Sequence, residues 1–164
     1  MIAYMSLEEQ VDVEFGAVRR RMWLGRLMRL LRGGGYAGRL ASFDEARRAS
    51  GAMHGIHVGR RVVEVGKIVG SVGRYADFDP DFMPARRNLS ERWKRVDRAF
   101  HRGEELPPVS LFKIGDAYFV NDGNHRVSVA RYQGIEMIDA DVVEFHALPF
   151  ANQKPGSRPV VVGS

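Results

Sequence analysis

The chain's 164 residues, 45% of them hydrophobic, suffice for one globular unit with a modest core, and no apolar run approaches the roughly 18–20 residues of a membrane span. It contains no cysteine, which excludes disulfides, thiolate nucleophiles and cysteine-ligated zinc and fits a cytoplasmic protein. The net charge of +5 is unevenly placed: residues 1–14 carry four acids and no base, whereas residues 15–43 carry seven arginines and no acid. A basic block of this kind favours an anionic partner, nucleic acid or a membrane surface, although a solvated helix face has the same composition.

The opening "MIAYMSLEEQVDVEF" is acidic and lacks the basic-then-apolar order of a signal peptide. Residues 7–32 predict one long helix, with Val11, Phe15, Val18 and Met22 at helical spacing and Trp23, Leu24, Leu27, Met28 and Leu31 crowding its second half. That second cluster is too apolar to stay exposed, so the helix is expected against the domain or a second subunit, the latter giving a homo-oligomer. "RGGGYAG" ends the helix as cap and linker; it follows no strand and lacks the Gly-Lys-Ser/Thr ending of a phosphate loop.

A short helix is expected over residues 43–50. "IHVGRRVVEVGKIVGSV", residues 56–72, is rich in β-branched side chains and predicts a strand pair or a bent strand. "GRYADFDPDFMPARRN" is a loop broken by Pro80 and Pro84. A second helix runs from about Leu89 to Arg102 on the stripe Leu89, Trp93, Val96 and Phe100, and Gly103 with Pro107-Pro108 stops it. "PVSLFKIGDAYFVND" is a hairpin turning at Gly115-Asp116. A third helix follows to about Gln133, then a last strand over residues 137–145 and a poorly ordered tail. The order predicts an α+β fold in three parts: a helical N-terminal extension over residues 1–50, a domain over 51–150, and a flexible tail over 151–164.

The densest polar run, Asp122, Gly123, Asn124, His125 and Arg126, lies at the corner between the hairpin and the third helix. A helix N-terminus there offers unpaired N–H groups and a positive dipole end to phosphate, and Arg126 adds a bidentate fork. Gly123 permits close backbone approach, and Asp122 can orient His125, hold a metal or take a proton from a hydroxyl. The plain alternative is that Asp122 or Asn124 caps the helix while His125 and Arg126 face solvent. Arg74, after the strand-rich segment, is placed either to reach a bound anion or to pair with Asp77 or Asp79. Asp77, Asp79 and Asp81 begin like a calcium loop, but Phe82 and Asn88 stand where Gly and Glu are required. His54 and His57 read as ordinary loop histidines, and no metal site is expected. Residues 86–102 carry seven bases against two acids, so Arg92, Lys94 and Arg95 are candidate contacts to a DNA backbone.

Residues 56–145, from "VVEVGKIVGSVGR" through "LPPVSLFKIGDAYFVNDGNHRVSVARYQG" to "IDADVVEF", resemble the ParB/sulfiredoxin superfamily. The resemblance implies a small mixed sheet with packed helices, whose strand–turn–helix corner holds the phosphates of a nucleotide. ParB proteins carry a Gly-Glu-Arg-Arg corner for CTP, sulfiredoxins a Gly-Cys-His-Arg corner for ATP, and free-serine kinases on this fold Asp-Gly-His-His-Arg. Asn124 stands where sulfiredoxins have cysteine, which excludes their chemistry, and no helix-turn-helix follows residue 145.

The first expectation is therefore a ParB-like domain binding a nucleotide di- or triphosphate, CTP or ATP/ADP with or without Mg²⁺, at Gly123, Asn124, His125 and Arg126. Arg74 lines that site and the basic helices engage DNA. The alternative is a small-molecule phosphotransferase that needs Mg²⁺, with Asp122 or Glu64 as base and His125 and Arg126 on the transferred phosphoryl. A third reading is an interaction module whose basic N-terminal helix docks on a partner or an anionic membrane.

Overall fold

The computed structural model describes residues 5–31 and 39–147; the side chains of residues 21–31 and of residue 87 lie outside it. Helix α1 spans Leu7–Leu31. A reciprocal capping box starts it: Ser6 N donates to Glu9 Oε2 at 2.8 Å, and Glu9 N donates to Ser6 Oγ at 3.3 Å. The residues following the linker form a two-residue strand β1, Ala41–Ser42, and helix α2, Phe43–Ser50, capped by the Ser42 hydroxyl on Glu45 N. Then come β2 (Ala52–Glu64), a 3₁₀ turn (Val65–Lys67), β3 (Ile68–Ser71), a long loop, and a 3₁₀ turn (Arg87–Leu89) leading into α3 (Ser90–His101). Strands β4 (Val109–Ile114) and β5 (Ala117–Asp122), helix α4 (Asn124–Tyr132) and strand β6 (Met137–Ala147) complete the order.

The six strands form one mixed sheet in the order β1-β3-β5-β4-β6-β2. The hairpin β4–β5 is antiparallel, β3 runs parallel to β5, and β6 runs parallel to β4. The fold is α+β, as expected. The stretch over residues 56–72 is neither a pair nor one bent strand. Val65 and Ile68 are both buried, so the 3₁₀ turn carries the chain across the sheet, from edge strand β2 to β3 near the opposite edge. His54 and His57 consequently lie on β2 rather than in a loop, and His57 pairs with Asp141 at 2.8 Å across the β2–β6 ladder.

Alternation divides the sheet into two faces. On one, Val109, Leu111, Val120, Ala140 and Val142 pack with Val127 of α4 and with Leu40, Ile68, Phe78 and Phe82. On the other, Phe43 of α2 sits edge-on to Phe112 and Phe145 at 5.0 Å and to Phe119 at 5.6 Å. Leu40, Ser42 and Phe43 are buried in this unit, so packing reaches across the boundary expected at residue 50. β1 docks so closely on β3 that a Cβ on Gly70 would lie 2.2 Å from the Ala41 carbonyl oxygen, which leaves room only for glycine.

The loop after β3 is folded by Asp79, whose Oδ1 accepts from the Asp81 and Met83 backbone N–H groups, each at 2.9 Å. That is turn chemistry, in keeping with the absence of a calcium-loop pattern. It leaves Phe82 at a φ of 62°, a strained value for an aromatic residue, held by complete burial against Phe78 and under the Arg131 guanidinium.

A second core joins the helices. Phe15 and Val18 of α1 meet Trp93 of α3 and Val129 of α4, with Tyr132 alongside. The N-terminal helix thus packs on its own domain through its first half; the Trp23–Leu31 cluster, on which the homo-oligomer expectation rests, lies outside the described side chains, as do the glycine linker and the tail. Trp93 is fully buried, and its indole N–H donates to Ser128 Oγ at 2.9 Å. Replacing Ser128 with Ala strands that donor in an apolar environment and is expected to cost about 1–3 kcal/mol in urea denaturation. An unchanged midpoint and slope would show that the bond does not hold α3 on α4.

Candidate functional site

The β5–α4 corner puts a glycine at an uncapped helix N-terminus. Gly123 is the residue preceding α4, at a φ of 101°, and no side chain caps the helix. A Cβ at that position would lie 2.7 Å from Val109 Cγ1 and 3.1 Å from the Arg126 guanidinium, so both the dihedral and the space select glycine. The plain capping alternative fails. Asp122 turns instead to Arg126, accepting from Nη2 at 2.7 Å, and Asn124 is 93% buried with its Oδ1 unpaired.

Arg126 is committed to the fold as well as to the corner. Its Nη1 donates to the carbonyls of Pro107 and Pro108, at 2.9 Å for the latter, and its side chain is 15% exposed. The bonds fix the loop that precedes β4 against α4. The substitution Arg126→Ala therefore strips three structural bonds along with any ligand contact.

A cleft of about 350 Å³ opens over the corner, lined by Asp122, Gly123, Asn124, His125 and Arg126 together with Arg74, Arg92 and Arg95. Four arginines thus line a cleft at one uncapped helix N-terminus. Arg74 lines the cleft and also reaches Asp77 at 3.8 Å. Arg92 and Arg95 come from α3, which the Trp93–Ser128 bond and the second core press against α4. Neither has an acidic partner among the described residues.

Two expected residues lie elsewhere. Lys94 points to α1, where it pairs with Asp12 at 2.6 Å and covers the Phe15 ring. It is not grouped with Arg92 and Arg95. Glu64, at the end of β2, pairs with Lys67 at 3.1 Å and is not part of the cleft wall. What the sequence did not reveal is Phe78, whose ring meets the His125 imidazole edge-on at 5.2 Å. Both ring nitrogens of His125 are buried without a hydrogen-bond partner. Burial, reinforced by the charges of Arg74 and Arg92 and opposed by Asp77, pushes its pKa down to about 4, so the ring is neutral near pH 7. Neutral imidazole with an unpaired nitrogen can accept from a hydroxyl or donate to a phosphate oxygen.

No family model and no curated protein matches the chain. Among solved structures, it is similar to the crystal structure of sulfiredoxin from Arabidopsis thaliana, at 14% identity over 51% of this chain and 82% of that one, with a TM-score of 0.39.

The depressed His125 pKa has a consequence for stability. As pH falls from about 6.5 to about 4, the unfolded chain takes up a proton that the folded chain refuses. The stabilisation tied to neutral His125 is therefore complete above 6.5 and is lost toward 4. His125→Phe keeps the contact with Phe78 and cannot ionise. Between pH 7 and pH 5 the variant is expected to lose roughly 1–2 kcal/mol less stability than the wild type in urea titrations. Equal losses would place His125 in a more solvated setting than the structure does.

Proposed function

We propose that the β5–α4 cleft binds the phosphate groups of a nucleotide. The observation that carries this reading is that Arg74, Arg92, Arg95 and Arg126 line one cleft at an uncapped helix N-terminus, beside His125, whose buried ring nitrogens lack partners. Four cations gathered without enough acids to neutralise them favour a multiply charged anion, and the dipole of α4 adds to their field. A second cleft of about 230 Å³, lined by Phe100, Leu106, Pro107, Ile135 and Ile138 among others, shares Val96 and Arg126 with the first. A phosphate in the charged cleft leaves an attached nucleoside beside this apolar one, which favours a nucleotide over free phosphate.

Group transfer has less support. Asp122, the nearer candidate base, is held by Arg126, and Glu64 stands outside the cleft. A histidine with a pKa of about 4 is a weak base near neutral pH. DNA remains a second source of the same phosphate chemistry, because Arg92 and Arg95 lie on an exposed face of α3.

A thermal-shift panel of ATP, ADP, CTP, GTP and pyrophosphate, with and without Mg²⁺, tests the reading, ligand at a hundredfold excess over Kd stabilising by about 2.7 kcal/mol. The double variant Arg92→Ala/Arg95→Ala is expected to weaken binding at least tenfold while leaving the ligand-free melting temperature unchanged, since each lost charge-assisted contact is worth about 1.5–3 kcal/mol. Undiminished binding by the variant would sink the proposal. For duplex DNA, the same two substitutions are expected to reduce the log–log salt slope by about 2, near 0.9 per phosphate contact. DNA binding that nucleotide does not compete away would move the DNA surface off this cleft.

A further inference from the structure

On the opposite side of α3 from the arginine cleft lies a second polar cluster, where α1, α3 and the end of α4 meet. Asp97 and His101, four residues apart on α3, share one helix face, and Glu14 of α1 closes on them. His101 Nε2 is 3.1 Å from Glu14 Oε2 and 3.8 Å from Asp97 Oδ2. The Asp97 side chain is 0% exposed, and its Oδ2 has no hydrogen-bond partner. Among the described residues no lysine or arginine pairs with either carboxylate, because Lys94 and Arg98, the α3 cations nearest α1, are taken by Asp12 and Glu8. Two buried or half-buried carboxylates therefore share one imidazole, which leaves them short of positive charge.

The space between the three groups is occupied by the Gln133 amide nitrogen, at 2.8 Å from Glu14 Oε2, 2.9 Å from Asp97 Oδ1 and 3.4 Å from His101 Nε2. Its partially positive hydrogens stand where a cation would satisfy the same acceptors. Tetrahedral coordination with metal–ligand bonds of about 2.0–2.2 Å places ligand atoms about 3.3–3.6 Å apart, and the two separations from His101 bracket that range. A metal at that point requires the Gln133 amide to swing aside, and water completes a four-coordinate shell. Two carboxylates and an imidazole together suit a divalent first-row transition ion, with Zn²⁺ the type case.

We propose that Glu14, Asp97 and His101 form a divalent-metal site that staples α1 to α3. Binding moves the Gln133 amide aside and needs His101 Nε2 unprotonated, its proton passing to Nδ1 or to solvent, while the three ligand atoms already lie within 4.8 Å of one another. The site is separate from the arginine cleft, and α3 is the element common to both.

The test uses the full chain, stripped with EDTA and free of nucleotide. Zn²⁺ is expected to bind at one ion per chain by titration calorimetry and, at a hundredfold excess over Kd, to raise the melting temperature by about 5 °C. Co²⁺ is expected to give the visible absorption bands of a four-coordinate site. Asp97→Asn replaces the buried carboxylate, whose Oδ2 has no hydrogen-bond partner, by a neutral amide, so it is expected to fold at least as stably as the stripped wild type while losing the shift and the bands. His101→Gln is expected to weaken binding at least tenfold, whereas His57→Gln, on the exposed β2 ladder, leaves it unchanged. No one-to-one binding by the wild type overturns the proposal, and so does unaltered binding by Asp97→Asn or His101→Gln.

Discussion

The contact between α3 and α4, made by one buried tryptophan, is the constraint on which the other features depend. Trp93 lies between Phe15 of α1 and Tyr132 of α4, with ring centroids at 5.7 and 5.5 Å, and its single polar atom is satisfied by Ser128. A fully buried indole contributes a large apolar area, but its N–H must find an acceptor or forfeit much of that gain. Ser128 supplies it from the interior face of α4, which sets both the rotation and the position of α3 along its neighbour. Every residue of α3 is then assigned a direction by helical spacing.

Two faces of α3 follow from that assignment. Arg92, Arg95 and Val96 turn toward the β5–α4 corner, whereas Lys94, Asp97, Arg98 and His101 turn toward α1. The arginine face raises the positive potential at an uncapped helix end, and the α1 face anchors the N-terminal helix through ion pairs and the shared carboxylate–imidazole cluster. A shift of α3 would disturb both at once. This gives the arginine cleft and the carboxylate–imidazole cluster a common mechanical element.

Within the corner, the division of labour among charged groups is set by geometry rather than residue type. Arg126 is enclosed and spends its donors on two prolyl carbonyls and Asp122, which makes it a brace for the site floor. Arg92 and Arg95 are exposed and lack acidic partners among the described residues, so their charge is available. His125 is kept neutral by burial beside Phe78 and by the neighbouring guanidinium groups. A cluster of arginines would otherwise repel a protonated imidazole, and removing water from the ring makes neutrality the favoured state.

Local rules were sufficient for much of the chain. Helical spacing of Val11, Phe15 and Val18, the Gly115-Asp116 turn and the strand–turn–helix pattern around Asp122–Arg126 each translated directly into an element, because hydrophobic period and turn chemistry act over a few residues. The corner itself was legible, since Gly123 and the polar run beside it are contiguous. The crossing from β2 to β3 was not, because a 3₁₀ turn and a hairpin turn look alike in sequence and only the burial of Val65 and Ile68 decides between them. Nor was the partition of Arg92 from Lys94, which depends on the rotation of α3 imposed by Trp93 and Ser128, 35 residues apart. The meeting of Glu14 with Asp97, His101 and Gln133 draws on three separate helices and has no sequence spacing of its own. The sequence by itself determined most of the elements and which residues stand at the corner, because those are short-range properties; tertiary packing decided which charges lie together, because charge proximity between distant segments exists only once the helices are locked together.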